Sequence, residues 1–145
     1  MICIDASVAA KWLFEEEYSD KADALYRACV SAAVPLVAPP LLPIELTNLL
    51  RRRMVRDRLS LEQASELLEQ FLSFPVSLVR PDRLHQAALA LAATYNLPAA
   101  YDAHYLALCQ LLGCAFWTND RTLVNTLGNR LAFVRWLGDF SGEIT

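Results

Sequence analysis

Five short apolar runs, "MICI", "PLVAP", "VSLV", "CAFWT" and "LAFVRW", lie along the chain, separated by longer stretches of helical spacing. Apolar runs this short read as strands, and a 3.6-residue apolar period between them reads as helix. Strands that alternate with helices imply right-handed crossovers and a parallel α/β sheet. Such a sheet is covered on both faces, so its strands are continuously apolar. The composition can supply that cover, with 55% hydrophobic and 20% charged residues. No repeat, linker or low-complexity segment interrupts the pattern. The 145 residues suit a single domain, 1–145, able to bury roughly two thirds of its unfolded surface.

The helices follow from the same spacing. "ASVAAKWLF" continues from Asp5, and "SDKADALYRACVSAA" carries Ala22, Leu25, Tyr26, Cys29 and Val30 on one face. Pro39 and Pro40 suit a helix start, where the first N–H groups have no partner, and the helix runs to about Arg56. "SLEQASELLEQFLSF" has a capping box from Ser60 to Gln63. A helix from Pro81 to about Tyr95 turns Leu84, Ala87, Ala88, Leu91 and Ala92 inward, and "AAYDAHYLALCQLLG" is a helix stopped by Gly113. "DRTLVNTLG" is a short one before the last strand.

A net charge of −3 argues against a broadly basic nucleic-acid coat, so any polyanion must be gripped locally. No apolar run reaches the roughly 18 residues that span a bilayer, and "MICIDAS" lacks a basic signal region, so a cytoplasmic protein with no membrane partner is expected. Cys3, Cys29, Cys109 and Cys114 form no C-x-x-C pair and read as small buried hydrophobes. With His85 and His104 the only histidines, a zinc site is poorly supplied.

Glu45 poses the main difficulty. Leu41 and Leu42 lie one helical turn before it and Leu49 one turn after, on a stripe that should face a core. An unpaired carboxylate there costs several kcal/mol unless it is really at the surface, meets an arginine, or holds a metal ion. Three further acids sit where ligand sites form in parallel sheets, beyond the carboxyl ends of the strands. Asp5 follows "MICI", Asp120 follows "CAFWTN", and Asp102 opens a helix. Each of these three could simply cap a helix. Convergence of all four is harder to explain that way, because crowded like charges repel unless a cation neutralises them. Carboxylates without histidine or thiolate suit Mg²⁺ or Mn²⁺, and such an ion can activate water against a phosphodiester. Phosphate-loop, dinucleotide and nucleophile-elbow motifs are absent.

The set "ICIDAS", "PIELTN", "YDAHY" and "WTND", closed by "FVRWLGDF", resembles the PIN domain, and the compact length resembles a VapC-type toxin ribonuclease. The resemblance implies a three-layer α/β/α fold with five parallel strands in the order 3-2-1-4-5. It implies a Mg²⁺- or Mn²⁺-dependent endoribonuclease, held inactive by a VapB-type antitoxin in a type II toxin–antitoxin pair, and a homodimer. Asp5 and Asp102 match the family's metal ligands; Glu45 and Asp120 match acids that bind metal directly or through water. Ser7, Asn48 and Thr118 fall at supporting polar positions, and Trp117 stands where a smaller aliphatic is usual. Other classes remain open at this point: a PIN-like binding or scaffold module without catalysis, or a metal-dependent DNA nuclease or phosphatase.

The basic run "RRRMVRDR", Arg51 to Arg58, suits the negative end of a helix dipole and also suits a rim, led by Arg51 and Arg52, that grips RNA phosphates. Trp12, Phe14 and Tyr18 are expected to pack rather than stack bases. His104 is expected at an exposed or partner-facing position.

Overall fold

The computed structural model describes residues 1–144. Its strands β1 (Ile2–Ile4), β2 (Leu36–Ala38), β3 (Val76–Leu78), β4 (Ala115–Thr118) and β5 (Val134–Trp136) form one parallel sheet in the order β3-β2-β1-β4-β5. The helices are α1 (Ala6–Leu13), α2 (Ser19–Ser31), α3 (Leu41–Arg56), α4 (Leu61–Leu72), α5 (Leu84–Thr94), α6 (Tyr101–Leu112) and α7 (Arg121–Leu127), and a 3-10 turn spans Leu137–Asp139. Ile2, Cys3 and Ile4 of the central strand are all buried, and since successive side chains point to opposite faces, both faces are covered. α6 packs against β1 and β4 and against α5, while α1 packs against α2, α3 and α4.

Local chemistry explains the helix ends. Ser60 accepts from Gln63 N–H while the Gln63 side chain accepts from Ser60 N–H, so the capping box of α4 is complete. Gly113 ends α6 in the left-handed region, and Cys114 N–H reaches back to the Cys109 carbonyl. That Schellman closure brings Cys114 onto Cys109. All four cysteines are buried free thiols.

The structure corrects several expectations. Val30 is 59% exposed; of the five residues expected on the inner face of α2, Ala22, Leu25 and Cys29 are fully buried and Tyr26 is half-buried. α5 begins at Leu84 rather than Pro81, since Arg83 takes a left-handed backbone (φ 69°) that no α-helix can contain. β3 ends at Leu78 and is an edge strand with Ser77 and Leu78 exposed; Val79 still donates its N–H to the Ala38 carbonyl. Trp12 packs on Tyr26 and Phe74 and donates its indole N–H to the Ala22 carbonyl. Tyr18 meets the ring of Trp136, and Phe14 lies under the Arg53 guanidinium. Among the described residues no helix is long and apolar enough to cross a membrane.

Candidate functional site

The strand order decides which loops meet. β1 and β4 are neighbours, so the turns that leave their carboxyl ends lie side by side. Asp5, after β1, caps α1, its Oδ1 accepting from Val8 N–H at 3.2 Å. Asp120, after β4, caps α7, its Oδ1 accepting from Leu123 N–H at 3.0 Å. Glu45 stands one turn into α3, which leaves β2, and Asp102 lies in the first turn of α6 without capping it. The four carboxylates line one cavity of about 220 Å³, together with Ser7, Asn48 and Arg52.

Two hydroxyls stitch the neighbouring turns together. Ser7 Oγ donates to Asp5 Oδ1 at 2.5 Å and accepts the N–H of Asn119 at 2.8 Å. Thr118 Oγ1 donates to Asp5 Oδ2 at 2.5 Å and accepts the N–H of Asp120 at 3.0 Å. Thr118 is fully buried and supports the cavity from behind, whereas Asn48 is exposed at its mouth. A carboxylate oxygen has room for two acceptor contacts, so these bonds aim Asp5 without exhausting it.

Four carboxylates and one guanidinium, that of Arg52, line the cavity, so negative charge is in excess there. Burial pushes Asp5 up to about 6 against the opposing hydrogen bonds of Ser7, Thr118 and Val8, with Asp102 adding to the rise. Burial, then Asp120 and Glu45, push Asp102 up to about 6 as well. None of the four acids has an ion-pair partner among the described residues. Glu45 Oε1 is sealed from solvent with no hydrogen-bond partner. An orphaned carboxylate oxygen among like charges fits a hard divalent ion, which takes oxygen donors and retains water. Among the described residues no three His, Cys, Asp or Glu side chains stand in a closed ligating array, so the acids share a cavity rather than a finished coordination shell.

The model of the PIN domain family matches residues 2–127. The chain belongs to the PIN domain family. PIN domains are generally metal-dependent nucleases, and the unbalanced acidic cavity is consistent with that chemistry. This PIN domain is also similar in fold to the crystal structure of PAE2754 from Pyrobaculum aerophilum, with a TM-score of 0.69 at 20% identity, covering 94% of this chain and 90% of that one. A comparison with curated proteins finds no match.

Other sequence-selected residues fall differently. Arg52 lines the acidic cavity but Arg51, on the next position of the helix, does not. Trp117, despite its size, is buried against Phe140 and causes no break in β4. His104 is half-buried, its Nε2 2.9 Å from His85 Nδ1 and its Nδ1 2.6 Å from the Ala100 carbonyl, and it does not line the cavity.

Sequence reasoning missed Tyr105. Its ring is buried and stacked on Phe116, and its hydroxyl, also without a hydrogen bond of normal geometry, interacts with Glu45. Burial and the Glu45 carboxylate push this phenol far above its ordinary range. The available signal was its spacing: Tyr105 is three residues after Asp102, on the same helix face.

Proposed function

We propose that this PIN domain acts, as one unit over residues 1–145, as a Mg²⁺- or Mn²⁺-dependent endoribonuclease of the VapC type. In this reading it is the toxin of a VapBC-like pair, restrained by a VapB-type antitoxin, cytoplasmic and homodimeric. The observation that carries the catalytic part is the cavity shared by Asp5, Glu45, Asp102 and Asp120, none of which is in an ion pair among the described residues. Asp5 and Asp102 would hold the ion, and Glu45 and Asp120 would bind it directly or through water. Once bound, the ion supplies Lewis acidity to water and offsets charge on the phosphate.

The chain's own groups do the positioning. Ser7 and Thr118 fix both oxygens of Asp5, and the Leu123 N–H fixes Asp120. Glu45, which lines the same cavity, would orient the attacking water or take its proton. Asn48, at the same cavity, would receive the phosphodiester.

The test is cleavage of labelled single-stranded RNA, DNA of the same sequence and a small phosphoester by purified protein in Mg²⁺, with the Asp5→Asn variant as control. The variant removes charge at constant volume, so loss of RNA cleavage with an intact fold is expected. Undiminished cleavage by the variant would defeat the reading, and preference for DNA or the small ester would move it to another phosphoesterase class.

A further inference from the structure

Beside the acidic cavity lies a second one of about 320 Å³, lined by Leu49, Arg52, Arg53 and Arg56. Leu49 and Arg52 belong to both, so the two are continuous along α3. Glu45, Asn48, Arg52 and Arg56 follow one another at intervals of three, four and four residues, which keeps them on one face of the helix. From Glu45 to Arg52 is about 10 Å along the axis, and Arg56 is about 6 Å further. One helix therefore presents an acidic zone and then a basic one to anything laid along it.

The three arginines are not equivalent. Arg53 is committed: it bonds Glu16 at 2.7 Å, lies 3.7 Å from Asp57 and covers the Phe14 ring at 4.3 Å. Glu16 is also paired with Lys11 at 3.1 Å. Arg56 is exposed and reaches only its neighbour Asp57. Arg52 has no ion pair among the described residues. Among Lys11 and the three guanidinium groups, which outnumber the Glu16 and Asp57 carboxylates they pair with, Arg52 is left without an ion pair, and Arg56 is held only by the exposed Asp57 beside it.

We propose that Arg52 and Arg56, backed by Arg53, form a subsite for the phosphate of a single-stranded nucleic acid next to the one cleaved. The proposal rests on the nuclease reading and adds the direction of the strand, along α3 from Glu45 toward the helix end. An anionic polymer whose reacting phosphate sits at the acids must place a neighbouring charge somewhere, and α3 offers guanidinium groups at successive turns. A fork of N–H donors fits the oxygens of a phosphate in a bidentate pair, and recognition of a phosphate is independent of base sequence.

The experiment measures kcat/KM in Mg²⁺ for RNA oligonucleotides of increasing length, from a dinucleotide upward, with the wild type, Arg52→Ala and Arg56→Ala. In parallel, binding of a labelled RNA hexamer, a DNA hexamer of the same sequence and a hexaglutamate peptide is followed against salt in EDTA. A gain of about tenfold or more with the first added phosphates is expected in the wild type, collapsing to less than about threefold in each variant. The salt slope for the RNA hexamer should fall by about 0.7 per arginine removed. A length gain kept by both variants, or absent from the wild type, would overturn the subsite. Peptide binding that depends on these arginines while RNA binding does not would also overturn it, in favour of an acidic protein partner. If Asp5→Asn cuts as fast as wild type, the nuclease reading fails instead, and the binding arm still judges the arginines on their own.

Discussion

The hydroxyl of Tyr105 interacts with the Glu45 carboxylate inside the protein, yet neither that hydroxyl nor Glu45 Oε1 makes a hydrogen bond of normal geometry. A carboxylate held this way is a cost to the metal-free fold and an asset to a cation. Glu45→Gln should therefore stabilise the metal-free protein by about 1–2 kcal/mol, because it removes a partly buried charge and supplies an amide for the phenol. The same change should lower RNA cleavage by about a hundredfold or more. Urea unfolding in EDTA beside cleavage assays checks both; a destabilised variant would mean that Glu45 is already compensated.

Asp5 bears on the pH dependence of stability. Its carboxyl is raised in the folded chain from 3.8 to about 6. Between those values the folded state keeps a proton that the unfolded state has released, so this group's contribution to stability falls as pH rises through the window and stays lost above it. The loss amounts to about 3 kcal/mol at most. Without divalent ions, the wild type should lose stability relative to Asp5→Asn between about pH 4 and about pH 7. Parallel unfolding profiles for the two proteins would refute the burial effect.

A cation that relieves the acids must stabilise the fold by mass action. Mg²⁺ at about a hundred times its dissociation constant should add about 2.7 kcal/mol to the wild type and much less to Asp5→Asn or Asp102→Asn. The gain should be larger at pH 7 than at pH 5, where protons compete for Asp5 and Asp102. Thermal melts with Mg²⁺, Mn²⁺ and EDTA read this directly, and equal shifts in all three proteins would place the ion elsewhere.

Thr118 tests the support behind the site. Its hydroxyl donates to Asp5 Oδ2 and takes the Asp120 N–H, so Thr118→Val strips one bond from a buried carboxylate and orphans a backbone donor. A loss of about 1.5–3 kcal/mol is expected at neutral pH, smaller near pH 4 where Asp5 is protonated. Cleavage should fall as well. A variant as stable as wild type at pH 7 would show that water replaces the hydroxyl without cost.

Arg53 and Arg52, adjacent in sequence, should behave in opposite ways. Arg53→Ala removes the contacts to Glu16, Asp57 and Phe14 and should cost about 1 kcal/mol, less at high salt. Arg52→Ala should leave the unfolding midpoint nearly unchanged and weaken RNA binding. Reversed outcomes would exchange their assignments.

Much of this was legible because short apolar runs and helix-spaced stretches differ in period. "MICI" and "CAFWT" mark the two central strands, and adjacency of β1 with β4 then brings the Asp5 and Asp120 turns together. The PIN resemblance added the strand order, which periodicity cannot give. What stayed hidden depends on contacts between distant segments. Val30 looks inward on a helical wheel, but it stands in the last turn of α2, beyond the cover that reaches Tyr26, and is exposed. The start of α5 turns on one left-handed residue, Arg83, of a type that seldom adopts that conformation. Arg53 meets Glu16 across 37 positions, so no local spacing separates it from Arg52.

Two of the four acids have a mechanical duty besides any chemical one. Asp5 and Asp120 each terminate a helix by accepting a backbone N–H, whereas Glu45 and Asp102 terminate nothing. A descendant that abandoned its chemistry would still be pressed to keep a capping side chain, Asp, Asn, Ser or Thr, at the first pair, and would be free to shed the second. In the proposed nuclease reading, the joint survival of Glu45 and Asp102 is therefore the more telling mark of retained chemistry, and a side chain that merely caps at position 5 or 120 says little.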